Sequence, residues 1–288
     1  MSKKVGNGHY VRSKRLFNFL IIKKFNVKFY YNKSNSKINN IIKKEKNKIY
    51  IVIDFKNYKK LNLKKNTKIL KIISLENLKK KSFFKEKRIY PLDIQHKKNS
   101  GPKFYFYPKD FAKIDKKNIF KKWQKPKKIK ILIIQGGTDA NNNLNKIINI
   151  ILNSNFNFKN NIVVKTNAKH IIKKKYLKNE NVKIIGPIKY ISKLYKNIHV
   201  AISACGGTAF ELGFLGIPTI HVTSEPRELN RAATFNKKKL GAFYKVNKPK
   251  DIICELNKIC LNKKYRIELI NNRMNYFRKK NHFTKLLI

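Results

Sequence analysis

The chain is short of acid. Fifteen aspartates and glutamates stand against 69 lysines and arginines in 288 residues, a formal charge of +54. Cysteine is scarce too. Cys205, Cys254 and Cys260 have neither metal-ligand spacing nor the even count of a disulfide framework, which suits a reducing, cytoplasmic location. No apolar run approaches the roughly eighteen residues of a membrane span. The run FNFLII at 17–22 is too short and is followed by no cleavage-site pattern, so it reads as neither span nor signal peptide. No Asp-x-Asp triplet occurs, so neither a divalent metal nor any other cofactor is expected.

A charge of this size ordinarily points to nucleic acid or an anionic membrane. Its composition argues otherwise. Only eight of the 69 basic residues are arginine, and the lysines are spread along the whole chain. Asn, Ile, Phe and Tyr are also abundant. These are the residues of A/T-rich codons, so a biased genome is a sufficient cause. Binding to nucleic acid is then expected to be unspecific and salt-sensitive. No membrane span is expected, and a peripheral membrane contact stays open.

With 42% apolar residues the chain can build two ordinary cores. The first half alternates helix Val11–Lys24, strand Val27–Tyr31, helix Lys37–Lys46 and strands Ile49–Asp54 and Lys68–Ser74. KKWQKPKK at 121–128 reads as a linker. The second half is a cleaner succession of apolar strands and helices, beginning with strand Ile129–Gln135 and helix Leu144–Leu152, the signature of βαβ units on a parallel sheet. The expected division is 1–120, a linker at 121–128, 129–262, and a closing helix in 263–288. Only MSKKV stands before the first glycine loop, so the first strand of the N-terminal domain is expected to be missing.

Three glycine loops carry the chemistry: GNGHYVR at 6–12, GGTD at 136–139 and GGT at 206–208. Each opens a helical segment, and the last two follow apolar strands. Exposed amides and the positive end of a helix dipole suit such loops to phosphate. Gly6, Gly8, Gly136, Gly137, Gly206 and Gly207 let backbone approach closely, while Thr138 and Thr208 add hydroxyl donors. Arg12 is able to fork onto a phosphate. His9 titrates near neutrality. Asp54 closes an apolar strand, where it could orient His9, hold a sugar hydroxyl or equally cap a helix. Ser203 and Cys205 flank a sharp turn without an evident histidine–acid partnership and read as packing residues.

In order along residues 5–246, GNGHYVRS, SGPKFYFYPKDF, ILIIQGGTDANN and AISACGGTAFELGFLGIPTI resemble segments of the pseudaminic-acid-pathway UDP-sugar hydrolases and related spore-coat polysaccharide proteins. The last motif also resembles the lipid-II-forming N-acetylglucosaminyltransferases. The resemblance implies an α/β chain of GT-B type, two Rossmann-like domains facing a cleft. It implies His9 as the base that activates water at an anomeric carbon, Glu211 on the ribose hydroxyls, and Glu228 and Asn230 near the sugar or diphosphate. The implied activity is hydrolysis of a UDP-linked amino or deoxy sugar for nonulosonate or surface-polysaccharide synthesis. A UDP-sugar glycosyltransferase on the same scaffold is the alternative. A decayed, inactive relative and a basic nucleic-acid-binding protein follow.

Overall fold

A computed structural model describes residues 8–30, 35–54, 69–75, 86–95, 99–123, 129–136, 139, 141–158, 161–188, 190–223 and 225–287. The side chains of residues 8, 9, 35, 36, 112, 116 and 227 lie outside the description. The chain divides into two compact units. Residues 1–106 and 280–288 form the first, and 107–279 the second.

The first unit opens with helix α1 (Gly8–Ile22), followed by α2 (Asn35–Lys44) and strands β1 (Ile49–Ile53), β2 (Ile69–Leu75) and β3 (Glu86–Ile89). Among the described residues these strands form one parallel sheet in the order β1-β2-β3. Leu16 and Leu20 of α1 pack with Ile73, Leu75 and Ile89 of the sheet and with Phe104 and Phe106. Phe283, Leu286 and Leu287 join the same cluster, so the end of the chain returns to this unit. Residues expected to form strand Val27–Tyr31 are irregular through Tyr30, and Tyr31 lies outside the described residues. The alternating apolar pattern is real but serves another end. Phe29 lies on Phe17 and Tyr10 of α1, with ring centroids 5.4 and 6.3 Å apart, rather than joining a ladder.

The second unit begins earlier than the expected boundary after residue 120. Phe111 is buried against Tyr195 and Phe214, and the helix α3 (Lys116–Lys121) leads to buried Trp123. Lys122 and Trp123 of the expected linker are therefore packed, while Lys121 is exposed; 124–128 lie outside the described residues. Next come β4 (Ile131–Ile134), α4 (Asn143–Leu152), β5 (Ile162–Lys165), α5 (Lys174–Leu177), β6 (Val182–Ile185), α6 (Ile191–Tyr195), β7 (Val200–Ser203) and α7 (Gly207–Phe214). Strand β8 (Thr219–His221), α8 (Pro226–Lys237), β9 (Ala242–Phe243), α9 (Pro249–Leu261) and α10 (Lys263–Phe277) complete it. All six strands are parallel, in the order β6-β5-β4-β7-β8-β9. Every residue of β4, β5, β7 and β8 is buried, as helices on both faces of a parallel sheet require.

Helix α7 is packed so closely on α10 that Gly213 has no room for a side chain. An added Cβ would stand 2.3 Å from Cδ2 of the fully buried Phe277. Alanine normally improves a helix interior, but here overpacking wins. Gly213→Ala is expected to cost about 1–3 kcal/mol. Urea denaturation should show it, with part of the loss recovered when Phe277→Leu is added.

Candidate functional site

Strand order reverses between β4 and β7, and ligands of open α/β sheets bind outside the carboxyl ends of the strands at such a point. Both downstream glycine loops emerge there. The amide of Ala204, just past β7, donates to the carbonyl of Ile134 at the end of β4 (3.2 Å), holding the two exits side by side.

The two loops need glycine for different reasons. Gly136 adopts φ +74°, a left-handed conformation that side chains disfavour, with open space around its Cα. Gly206 is fixed by proximity instead, since a Cβ there would meet Oε1 of Glu228 at 2.8 Å. Asp139 organises the first loop. Its carboxylate accepts the amides of Asn143 (2.8 Å) and Leu144 (3.0 Å) at the start of α4. Burial raises its pKa, against the opposing pull of those amides. Gly137 and Thr138 lie outside the described residues.

Helix α8 builds the second loop. Glu228 Oε2 accepts the Cys205 amide (3.2 Å) and the Thr223 hydroxyl (2.6 Å), while Arg231 donates to the Cys205 carbonyl (2.5 Å). Glu228 thus grips the turn that leads into α7. Asn230 is exposed on α8, and its carbonyl accepts from Thr234 (2.9 Å). Glu211, one turn into α7, is 8% exposed and accepts from the Tyr195 hydroxyl at 3.3 Å. Gly207 and Thr208 form the first residues of α7 and are half-buried.

Burial pushes the Cys205 thiol up, which makes it a packing group rather than a nucleophile. Ser203 Oγ lies 3.5 Å from Nδ1 of His221, and neither residue is exposed. Burial and the neighbouring Arg273 hold His221 well below its ordinary pKa. A cation stands behind this ring where a catalytic triad would have a carboxylate. A cleft of about 270 Å³ opens at the carboxyl ends of β4, β8 and β9, lined by Asn143, Thr223, Leu229, Lys245, Val246 and Asn247.

In the first unit, Gly8 and His9 occupy the opening of α1, and Gly6 lies outside the described residues. Arg12, one turn on, meets Asp54 just past β1. Its Nε donates to Oδ2 at 2.9 Å and one Nη donates to Oδ1. Ser13 Oγ adds a third bond at 2.8 Å. The Arg12 and Asp54 side chains are 10% and 5% exposed. Asp54 therefore anchors the first turn of α1, and Arg12 forks onto that carboxylate. Asp54→Asn is expected to destabilise the protein by about 3–5 kcal/mol, because it removes the carboxylate charge from a buried, forked ion pair. An unchanged urea midpoint would show the pair to be idle.

Sequence reasoning passed over Thr223, Arg231, His221 and Arg273. Rarity was the available signal for the arginines, eight residues in a chain so dominated by lysine. Among the described residues no group of three or more His, Cys, Asp or Glu is placed to hold a metal ion, and no helix is long and apolar enough to cross a membrane.

The spinosyn rhamnosyltransferase SpnG resembles this structure over 76% of the chain, with TM-scores of 0.53 alone and 0.52 in complex with thymidine diphosphate, at 9% and 12% identity. The fold is GT-B. The chain covers about two thirds of the length of SpnG (67% and 66%). A second solved structure, MurG of Acinetobacter baumannii, aligns over 75% of this chain and 65% of its own with a TM-score of 0.49. In sequence, 125 residues are 30% identical to the uncharacterized protein MJ1062 of Methanocaldococcus jannaschii, 42% of this chain and 26% of that protein. No protein-family profile matches the chain.

Proposed function

We propose that the chain is an enzyme that transfers a glycosyl group from a nucleoside diphosphate sugar to an acceptor hydroxyl. The carrying observation is the pair of glycine loops side by side at the β4/β7 reversal of a GT-B sheet. SpnG, which shares the fold, binds thymidine diphosphate. In this reading the diphosphate meets the 136–139 and 206–208 loops, where helices α4 and α7 present their N-termini. Glu211 offers its carboxylate to the ribose hydroxyls, and the sequence resemblance favours uridine as the base. His9 takes the proton of the attacking hydroxyl, so that the anomeric C–O bond breaks and the nucleoside diphosphate leaves. Arg12, held by Asp54, supports that first turn.

Hydrolysis is the second reading. It is favoured by the likeness of GNGHYVR to the UDP-sugar hydrolases of pseudaminic-acid synthesis. Water then replaces the acceptor and everything else stands. A panel of UDP- and dTDP-sugars, assayed for nucleoside diphosphate release with and without hydroxyl acceptors and with a chelator present, separates the two. Acceptor-dependent release supports transfer, and full release without acceptor supports hydrolysis. Silence on the whole panel would sink both.

A further inference from the structure

Seven of the ten large apolar side chains exposed among the described residues belong to the first unit, and three of those seven fall within five residues at the end of α1. Ile21 is 49% exposed, Ile22 56% and Phe25 38%. The three in the second unit, Leu177, Tyr190 and Leu261, are far apart in sequence.

The end of α1 is a closed turn. The Lys24 amide donates to Ile21 (2.9 Å), the Phe25 amide to Leu20 (3.1 Å) and the Lys23 amide to Phe19 (3.1 Å). This is the Schellman pattern, whose left-handed position usually belongs to glycine. Lys24 occupies it, at φ 62°. The turn sends Leu16 and Leu20 inward, at 4% and 5% exposure, and leaves Ile21, Ile22 and Phe25 outside with Lys23 and Lys24. Residues 8–30 hold six lysines and arginines and no acid. The nearby Lys28 pairs with Glu45 across an exposed salt bridge.

From this juxtaposition of three exposed apolar side chains and two exposed lysines on one hydrogen-bonded turn, we propose that the end of α1 is a docking tip for anionic phospholipid bilayers. A helix end with its closing turn is convex and small, whereas a stable protein interface buries about 800 Å² per partner with few lysines at its centre. Nucleic acid would take the lysines but offer nothing to the isoleucines. A bilayer surface takes both: apolar side chains enter the headgroup–acyl boundary, and lysines meet lipid phosphates. The inference does not rest on glycosyl transfer.

A chain of charge +54 adheres to anionic vesicles by charge alone, so the test keeps charge constant. The probe is sedimentation with vesicles of phosphatidylglycerol and phosphatidylcholine at physiological salt. Ile21→Ser/Ile22→Ser/Phe25→Ser should lower partitioning by roughly tenfold to hundredfold. The second-unit control Leu177→Ser/Leu261→Ser should change it less than about twofold. Phe25→Trp gives an independent readout that does not depend on the stability of the triple variant, since its fluorescence should be quenched by brominated lipid. Equal partitioning of triple variant and wild type, an equal loss in the control, or unquenched emission from Phe25→Trp would each overturn the proposal.

Discussion

His9→Ala should lower turnover by about a hundredfold to ten-thousandfold, the usual worth of a positioned general base, while nucleotide affinity stays nearly unchanged. The two effects separate because the proposed nucleotide loops follow β4 and β7 of the second unit, whereas His9 stands in the first turn of α1 in the first. Asp54, the other expected catalytic residue, is a weaker candidate for the base. Its carboxylate already accepts from Arg12 Nε, from an Arg12 Nη and from Ser13, and a carboxylate so held is a poor proton acceptor. Whether the nucleophile is an acceptor hydroxyl or water, the same imidazole takes its proton. The experiment therefore tests the site and not the choice between transfer and hydrolysis. Wild-type rate against pH should rise through an ascending limb near the ordinary histidine range, about 6.5, and the variant should lose that limb. Calorimetry with UDP on both proteins checks the affinity. Normal turnover in His9→Ala would leave GNGHYVR as a turn without a base.

The second unit was legible in the sequence because its strands are buried on both faces. ILII at 131–134 and VAIS at 200–203 are short apolar runs that end at glycine pairs, and both became central strands followed by helices. Residues 168–177 are less plain: they form a short 3-10 turn at Lys169–Ile171 and then α5, with Ile172 turned inward between them. In the first unit, Val27–Tyr30 has the period of a strand, but its apolar residues face a helix, and a period of two does not reveal what covers it. The boundary near residue 106 and the return of residues 280–288 depend on contacts distant in sequence. Phe283 packing on Phe106 is an example that no local pattern announces.

The arginines show what composition concealed. Lysine stands almost everywhere a surface cation is needed. Several arginines stand where acceptors converge: Arg12 on Asp54, Arg266 on the carbonyls of Ile259 and Cys260, and Arg273 on those of Leu240 and Ala209. A planar fork satisfies such geometry, and an ammonium does not. Arg273 is the extreme case. It is wholly buried with carbonyl partners, and burial lowers its pKa to about 9. Glu228 shows the complementary limit. The resemblance placed it near sugar or diphosphate, but only the fold shows it gripping the Cys205 turn.

Stability should fall steeply as pH drops below about 6.5, earlier than a protein limited by its carboxylates would lose it. His199 and His221 are the cause. His199 Nδ1 accepts the Lys130 amide at 3.0 Å, and its Nε2 lies 3.1 Å from the Lys122 carbonyl. That fixes a neutral ring with its proton on Nε2, and a second proton on Nδ1 would face an amide donor. Burial first, then the charge of Lys122, lowers its pKa to about 4. His221, fully buried beside Arg273, is held lower than ordinary histidine by the same two kinds of cause. In the unfolded chain both bind protons near 6.5. Between that value and the folded one the unfolded state holds more protons, so the histidines' share of the stability is complete above 6.5 and is lost as pH falls through this window. Each histidine contributes a slope of up to about 1.4 kcal/mol per pH unit, so the pair approaches about 2.7. Burial lowers Lys122, whose Nζ donates to the Ile198 carbonyl, to about 7, so it adds a loss of the same sign that ends near pH 7, above the histidine window; Asp139, whose pKa is raised, acts with the opposite sign. Urea denaturation at fixed salt from pH 8 to pH 5 measures the slope. His199→Asn, whose carbonyl can replace Nδ1 as acceptor, should roughly halve it whatever its offset at pH 8. Stability that is flat from pH 8 to pH 5, or a slope that His199→Asn leaves untouched, would mean that these rings already carry their protons in the folded protein.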